Sequence, residues 1–106
     1  MTDYKEQTTE EIYTRIKNNE DIQIIDVRED DEWVTGHIRE AHHIRLSEIP
    51  DRLGEFDKSK EIVLVCRSGG RSGRACEYLT QVGYQATNMQ GGMLKWSYDL
   101  LIEDHV

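Results

Sequence analysis

The stretch Glu61–Gly83, EIVLVCRSGGRSGRACEYLTQVG, decides how the rest of the chain is read. Ile62, Val63, Leu64 and Val65 form an apolar, β-branched run of strand length, the pattern of a strand buried on both faces of a parallel sheet. Cys66 ends the run. Arg67-Ser68-Gly69-Gly70-Arg71-Ser72 follows at once, and then Ala75, Cys76, Leu79 and Val82 recur at helical spacing until Gly83 supplies a stop. The unit reads as strand, tight loop, helix.

That order places Cys66 at the carboxyl end of a strand, where open α/β sheets hold their ligand crevices. Gly69 and Gly70 can take positive φ without a Cβ clash, so the loop can turn tightly and point several N–H groups inward as an anion cradle. The following helix aims its positive end at the same place, and Arg67 and Arg71 bring full charges. A guanidinium about 5 Å from the sulfur, at an effective dielectric near 20, contributes about 3 kcal/mol, and the helix end about 1. Half of that sum carries a cysteine from about 8.5 to neutrality or below, which makes Cys66 a candidate nucleophile. The alternative is a buried structural cysteine at a strand end.

Cys66-Arg67-Ser68-Gly69-Gly70-Arg71-Ser72 resembles the active-site loop of the rhodanese family in its single-domain form. Asp26-Val27-Arg28-Glu29 followed by Gly36-His37-Ile38 resembles the family's amino-terminal signature. Asn88-Met89-Gln90-Gly91-Gly92 with Trp96 resembles its carboxyl-terminal one. The three motifs occur in the family's order over roughly residues 8 to 98. The resemblance implies a three-layer α/β domain with a central, mostly parallel sheet of four to five strands and helices on both faces. It further implies a sulfurtransferase: Cys66 takes a sulfane sulfur from a donor such as thiosulfate, carries it as a persulfide cradled by the backbone of Arg67, Ser68, Gly69, Gly70 and Arg71, and passes it to cyanide or a thiol. Asp26 and Ser72 are expected as supporting residues. No cofactor is expected. The partners implied are a small anionic donor, a thiol or cyanide acceptor, or a sulfur-relay protein. Where the family commonly has Pro-Gly, this chain has Arg39-Glu40.

At 106 residues the chain is expected to be one domain, 1–106, with a polar lead at 1–7 and a frayed end at 101–106. The net charge of −8 argues against nucleic acid and anionic membranes as partners, since both favour a basic face. Arg67, Arg71 and Arg74 form a local basic cluster suited to a small anion. There is no 18-residue apolar run, and MTDYKEQTTEE is too polar for a signal peptide, so a cytoplasmic setting is expected. Two cysteines ten residues apart match neither a disulfide framework nor a C-x-x-C pair.

Outward from the loop, residues 1–7 read as coil, although the family often adds an edge strand there. Thr8 and Glu11 form a capping box ahead of the stripe Ile12, Ile16. Ile22–Val27 is a strand with Asp26 near its carboxyl end, level with Cys66 if the two strands are parallel neighbours. Asp26 either pairs with a basic residue beside the loop or caps the short helix at Asp30–Val34. Arg28 reads as a solvated strand-end charge, with the crevice as the second reading. His37, His42 and His43 match no zinc spacing, and no metal site is expected. Ala41–Arg45 is a short edge strand. Ser47 is expected to cap a helix carrying Ile49, Leu53 and Phe56. Cys76 reads as core, with a resolving thiol as the alternative. Tyr84–Asn88 is the last strand, and Gly91-Gly92 turns close to the loop into a helix bearing Met93, Trp96 and Leu100.

Two competing functions are weighed against sulfur transfer. A phosphatase of the Cys-x5-Arg type needs its arginine six residues after the cysteine, where this chain has Ser72. A silent binding module would usually have lost the cysteine.

Overall fold

The computed structural model of the protein describes residues 3–102. Five strands, β1 (Lys5–Gln7), β2 (Ile22–Asp26), β3 (Ala41–His43), β4 (Glu61–Val65) and β5 (Gln85–Met89), form one sheet in the order β1-β5-β4-β2-β3. Every pairing is parallel. The run Ile62–Val65 becomes the central strand, with each of its four side chains fully buried.

The two-residue alternation of β4 divides the core. Ile62, Leu64 and Cys66 face one side, with Ala75, Cys76 and Leu79 of α3 (Gly70–Gln81) and with Ile49 and Phe56 of the segment before β4. Val63 and Val65 face the other, with Ile12 of α1 (Thr9–Lys17) and Met93 of α4 (Gly92–Lys95). Each such aliphatic side chain contributes about 1.5–3 kcal/mol on burial, so both layers are anchored through this one strand. α1 starts at the expected box: the Glu11 N–H donates to Thr8 Oγ1, and the Thr8 N–H donates to Glu11 Oε1.

The structure departs from the sequence expectations at several edges. Residues 5–7 form β1, with Lys5 opposite Thr87 and Gln7 opposite Met89. Their side chains carry little apolar signal, because what they gain is the hydrogen-bonding edge of β5. The segment Leu46–Glu55 is a 3-10 helix whose N-cap is Arg45 and not Ser47, and it kinks at Arg52. Pro50 lies within it, and a proline has no N–H to give to a longer helix. α4 is only four residues, so Leu100 lies outside it and is exposed, while Trp96 packs edge-on to Tyr13. Leu101 is not frayed: it exchanges backbone hydrogen bonds with His37, and residues 103–106 lie outside the described part. Arg39-Glu40 makes its turn with an Ala41 N–H to Ile38 O bond of 3.0 Å and without positive φ. α2 (Asp30–Trp33) completes the elements.

At the amino end of β4, Glu61 accepts both terminal nitrogens of Arg15, at 2.9 and 2.7 Å, and a third bond from Thr87 Oγ1. The Arg15 fork holds the Glu61 carboxyl down at about 2, from an ordinary 4.5. Because the folded value lies below the unfolded one, this stabilisation is present above pH 4.5 and is lost as pH falls towards 2. Thermal unfolding should therefore show a midpoint that drops across that interval, and Glu61→Gln should flatten the slope while lowering the midpoint at neutral pH.

Candidate active site

Parallel pairing brings the carboxyl ends of β2, β4 and β5 to one edge, with Asp26 registered opposite Val65. The chain leaves β4 at Cys66 and turns into α3 through Gly69, whose φ of +105° is in the left-handed region. Gly70 is already helical, so only one of the two loop glycines uses glycine's freedom. A second glycine closes the loop from outside. Gly92 (φ +60°) lies so near that a Cβ would meet the carbonyl oxygens of Cys66 and Arg67 at 2.5 Å. This close approach lets the Met93 and Leu94 N–H groups donate to those same carbonyls, at 2.9 and 3.0 Å.

Cys66 is 1% exposed. Its sulfur receives the Gly69 N–H at 3.0 Å and faces the Ser72 hydroxyl at 3.2 Å. Burial pushes the Cys66 thiol up. Bonds from the Ser72 hydroxyl and from the N–H groups of Ser72, Gly69 and Ser68 outweigh it and leave the thiol below its ordinary value. Cys76, ten residues on, has no such donors among the described residues, and burial drives its thiol up. Both cysteines are unpaired.

The arginines are arranged differently from the expectation that Arg67 and Arg71 together charge the sulfur. Arg71 turns to Glu32 of α2 in a bidentate pair with both bonds at 2.7 Å. That fork holds Glu32 at about 2, and it raises Arg71, with the Cys66 charge adding a smaller share. Arg71 thus pins α2 to the start of α3 as well as lying within electrostatic reach of the sulfur. Arg67 is exposed, and its side chain has no hydrogen bond or ion pair among the described residues. Ser68 is exposed.

Asp26 is fully buried and accepts the Nε and Nη2 of Arg28 at 2.8–3.0 Å. It does not cap α2, whose N-cap is Glu29. Arg28 is not the solvated charge expected: it is 5% exposed. Its spacing two residues from Asp26, on the same side of an extended segment, was the available signal. Asn88, quoted only as part of a motif, was missed as a site residue. Its Oδ1 lies 2.5 Å from Ser72 Oγ, while its Nδ2 donates to Gly69 O and Glu6 Oε1, both at 3.1 Å. A polar residue among buried neighbours at a strand's carboxyl end was its only sequence mark.

A parallel sheet with a cysteine heading a glycine-turned loop onto a helix defines a rhodanese-like domain. The family model for that domain matches residues 8–99, and the chain belongs to this family. Among its relatives, the Bacillus subtilis protein named "Putative sulfurtransferase YtwF" is 44% identical over 92 residues, covering 87% of this chain and 89% of that one. A protein of Allochromatium vinosum named Sulfurtransferase is 37% identical over 90 residues, covering 84% of each. The crystal structure of a rhodanese-like domain protein from Staphylococcus aureus superposes with a TM-score of 0.89 at 38% identity, covering 94% of this chain and 99% of that one.

Ser72 has one hydroxyl proton and two acceptors, the Cys66 sulfur and Asn88 Oδ1. Its donation to the sulfur is stronger to the thiolate, a charged acceptor, than to the thiol, whose sulfur accepts only weakly. Ser72→Ala should therefore raise the Cys66 pKa by about one unit or more, the worth of one hydrogen bond to a charged group. The check is the pH profile of Cys66 alkylation by iodoacetamide; an unmoved profile would show that the hydroxyl serves Asn88 alone.

Proposed function

We propose that the protein is a sulfurtransferase that carries sulfane sulfur as a Cys66 persulfide. The observation that carries the reading is the buried sulfur facing the Gly69 N–H and the Ser72 hydroxyl at the carboxyl edge of the sheet. The relatives' names support the same class. In the first half-reaction the Cys66 thiolate attacks the outer sulfur of thiosulfate. A new S–S bond forms, the bond to the sulfonate sulfur breaks, and sulfite leaves with the electron pair. In the second, cyanide or a thiolate attacks the terminal sulfur, and the S–S bond to Cys66 breaks to return the thiolate.

The loop suits this cycle because the negative charge alternates between the Cys66 sulfur and the terminal sulfur. N–H groups of Ser68, Gly69 and Ser72 already lower the Cys66 thiol, and the same loop supports the persulfide anion. A larger phosphoryl group would call for the longer loop with arginine six residues after the cysteine; here Arg71 comes one position earlier and is held by Glu32. The reading includes a cytoplasmic setting, which two unpaired thiols support. Among the described residues no helix is long and apolar enough to cross a membrane.

The test is intact mass after incubation with thiosulfate. The wild type should gain one sulfur atom, which cyanide removes. Cys66→Ser should gain none, and Cys76→Ala should behave as wild type. No gain with thiosulfate or polysulfide would contradict the reading and leave a module that keeps the loop for binding. Loss of the gain in Cys76→Ala would assign the second thiol a part in the cycle.

A further inference from the structure

Ser72 faces more hydrogen-bond acceptors than it has protons. Its Oγ lies 3.2 Å from the Cys66 sulfur and 2.5 Å from Asn88 Oδ1. Ser72 and Asn88 are 0% and 4% exposed, so the competition is settled between groups held inside the protein. The one hydroxyl proton cannot serve both contacts at once.

The orientation of the Asn88 amide decides where that proton rests. Asn88 stands in β5 opposite Leu64 of β4, and its Nδ2 donates to Gly69 O and to Glu6 Oε1 of β1, both at 3.1 Å. Two acceptors fix the NH2 group, so Oδ1 is the atom turned to Ser72. An amide oxygen carries no proton, and its contact with Ser72 is a hydrogen bond only when the hydroxyl donates to it. With its proton spent there, Ser72 Oγ can meet the Cys66 sulfur only as an acceptor, from the S–H of a thiol. A thiolate reverses the requirement. The charged sulfur is then the stronger acceptor, the hydroxyl turns to it, and Asn88 Oδ1 loses its donor.

We propose that Asn88 is the positioning residue of the Ser72 hydroxyl: its Oδ1 holds that hydroxyl while the Cys66 sulfur is uncharged and gives it up when the sulfur becomes an anion. The proton stays on the serine oxygen throughout, and only its direction changes. Asn88 thereby opposes ionisation of Cys66, while Ser72 favours it. The same movement belongs to turnover, a part of the proposal that rests on the sulfurtransferase reading. Cys66 Sγ is an anion before it attacks the donor and is neutral inside the persulfide, so the hydroxyl returns to Asn88 as the S–S bond forms.

The charged and titratable neighbours of the sulfur and the amide come from four elements. Arg71 and Cys76 of α3 lie within electrostatic reach of Cys66, with Arg71 committed to Glu32 of α2. Glu6 of β1 holds the far side of the amide, Tyr4 ahead of it brings its hydroxyl beside Gly73, and the Asp26–Arg28 pair closes the end of β2. Arg67 follows Cys66 with an exposed side chain, and α4 meets the loop through the Met93 and Leu94 N–H groups. None of these has a hydrogen bond to the Ser72 hydroxyl among the described residues, which leaves its direction to Cys66 and Asn88.

The test is the ionisation constant of Cys66, read from thiolate absorbance against pH, each variant taken as the difference from its Cys66→Ser counterpart. Asn88→Leu keeps the number and branching of side-chain atoms and removes the amide. It should raise the constant about fivefold, the worth of one neutral hydrogen bond, whereas Ser72→Ala lowers it. A merely structural role gives the opposite sign, because a loosened Gly69 turn takes donors away from the thiolate; a lowered or unmoved constant in Asn88→Leu overturns the proposal. In the Ser72→Ala background the same substitution should move nothing, and an equal shift there would place the effect outside the hydroxyl and overturn it as well.

Should Asn88→Leu not fold, the wild type carries its own readout. The Asn88 side-chain carbonyl carbon, followed by NMR against pH, should shift with the Cys66 midpoint, and most of that shift should vanish in Ser72→Ala. A carbon that does not titrate, or that titrates equally without the hydroxyl, overturns the proposal. Turnover is read separately, above the midpoint, as the fraction of persulfide by intact mass at a fixed ratio of thiosulfate to sulfite. The loading constant should fall about fivefold in Asn88→Leu, and an unchanged constant overturns the return of the hydroxyl during transfer. A wild type that takes up no sulfur contradicts the functional reading, and the ionisation constants alone then decide the role of Asn88.

Discussion

Burial and hydrogen bonding oppose each other at one sulfur atom, and the architecture follows from how that opposition is resolved. A cysteine at 1% exposure is pushed towards the neutral thiol. The donors that reverse this lie within six residues of chain, and they face the sulfur only because Gly69 turns the backbone back over Cys66. The turn is held from outside by Gly92, at a distance that excludes any Cβ, and from inside by β4, buried on both faces at the centre of the sheet. Neutral, short-range dipoles thus carry most of the effect that full charges were expected to supply.

The positive charge near the sulfur is spread over three arginines with separate duties. Arg71 is spent on Glu32, tying α2 to α3. Arg28 is committed to the buried Asp26 and to Gly36 O, holding the end of β2. Of the three, Arg67 is the one whose side chain has no hydrogen bond or ion pair to a described residue. In a chain with a net charge of −8, this division keeps a local cationic surface beside the loop.

The parts legible in the sequence were those whose signal is local. Ile62–Val65 has the composition of a central strand, Gly69 marks the turn, and Thr8 with Glu11 marks the start of α1, and each occurs where expected. What was not legible depends on distant partners. Nothing near Arg71 points to Glu32, 39 residues away. Nothing near Ser72 points to the Asn88 amide, whose orientation is set by Gly69 O and by Glu6 of an edge strand that itself reads as coil. Leu100 was placed on a helix because apolar spacing continued past Trp96, yet the backbone turns extended there and the chain returns to pair with His37.

Cys66 can serve as a nucleophile only if the hydrogen bonds to its sulfur outweigh its burial. The most direct measurement is the ultraviolet absorbance of the thiolate as a function of pH, taken as the difference between wild type and Cys66→Ser. A midpoint below that of an ordinary cysteine is predicted. A midpoint at or above that value would mean that desolvation prevails in the folded protein, and the loop would then be a structural turn around an inert thiol.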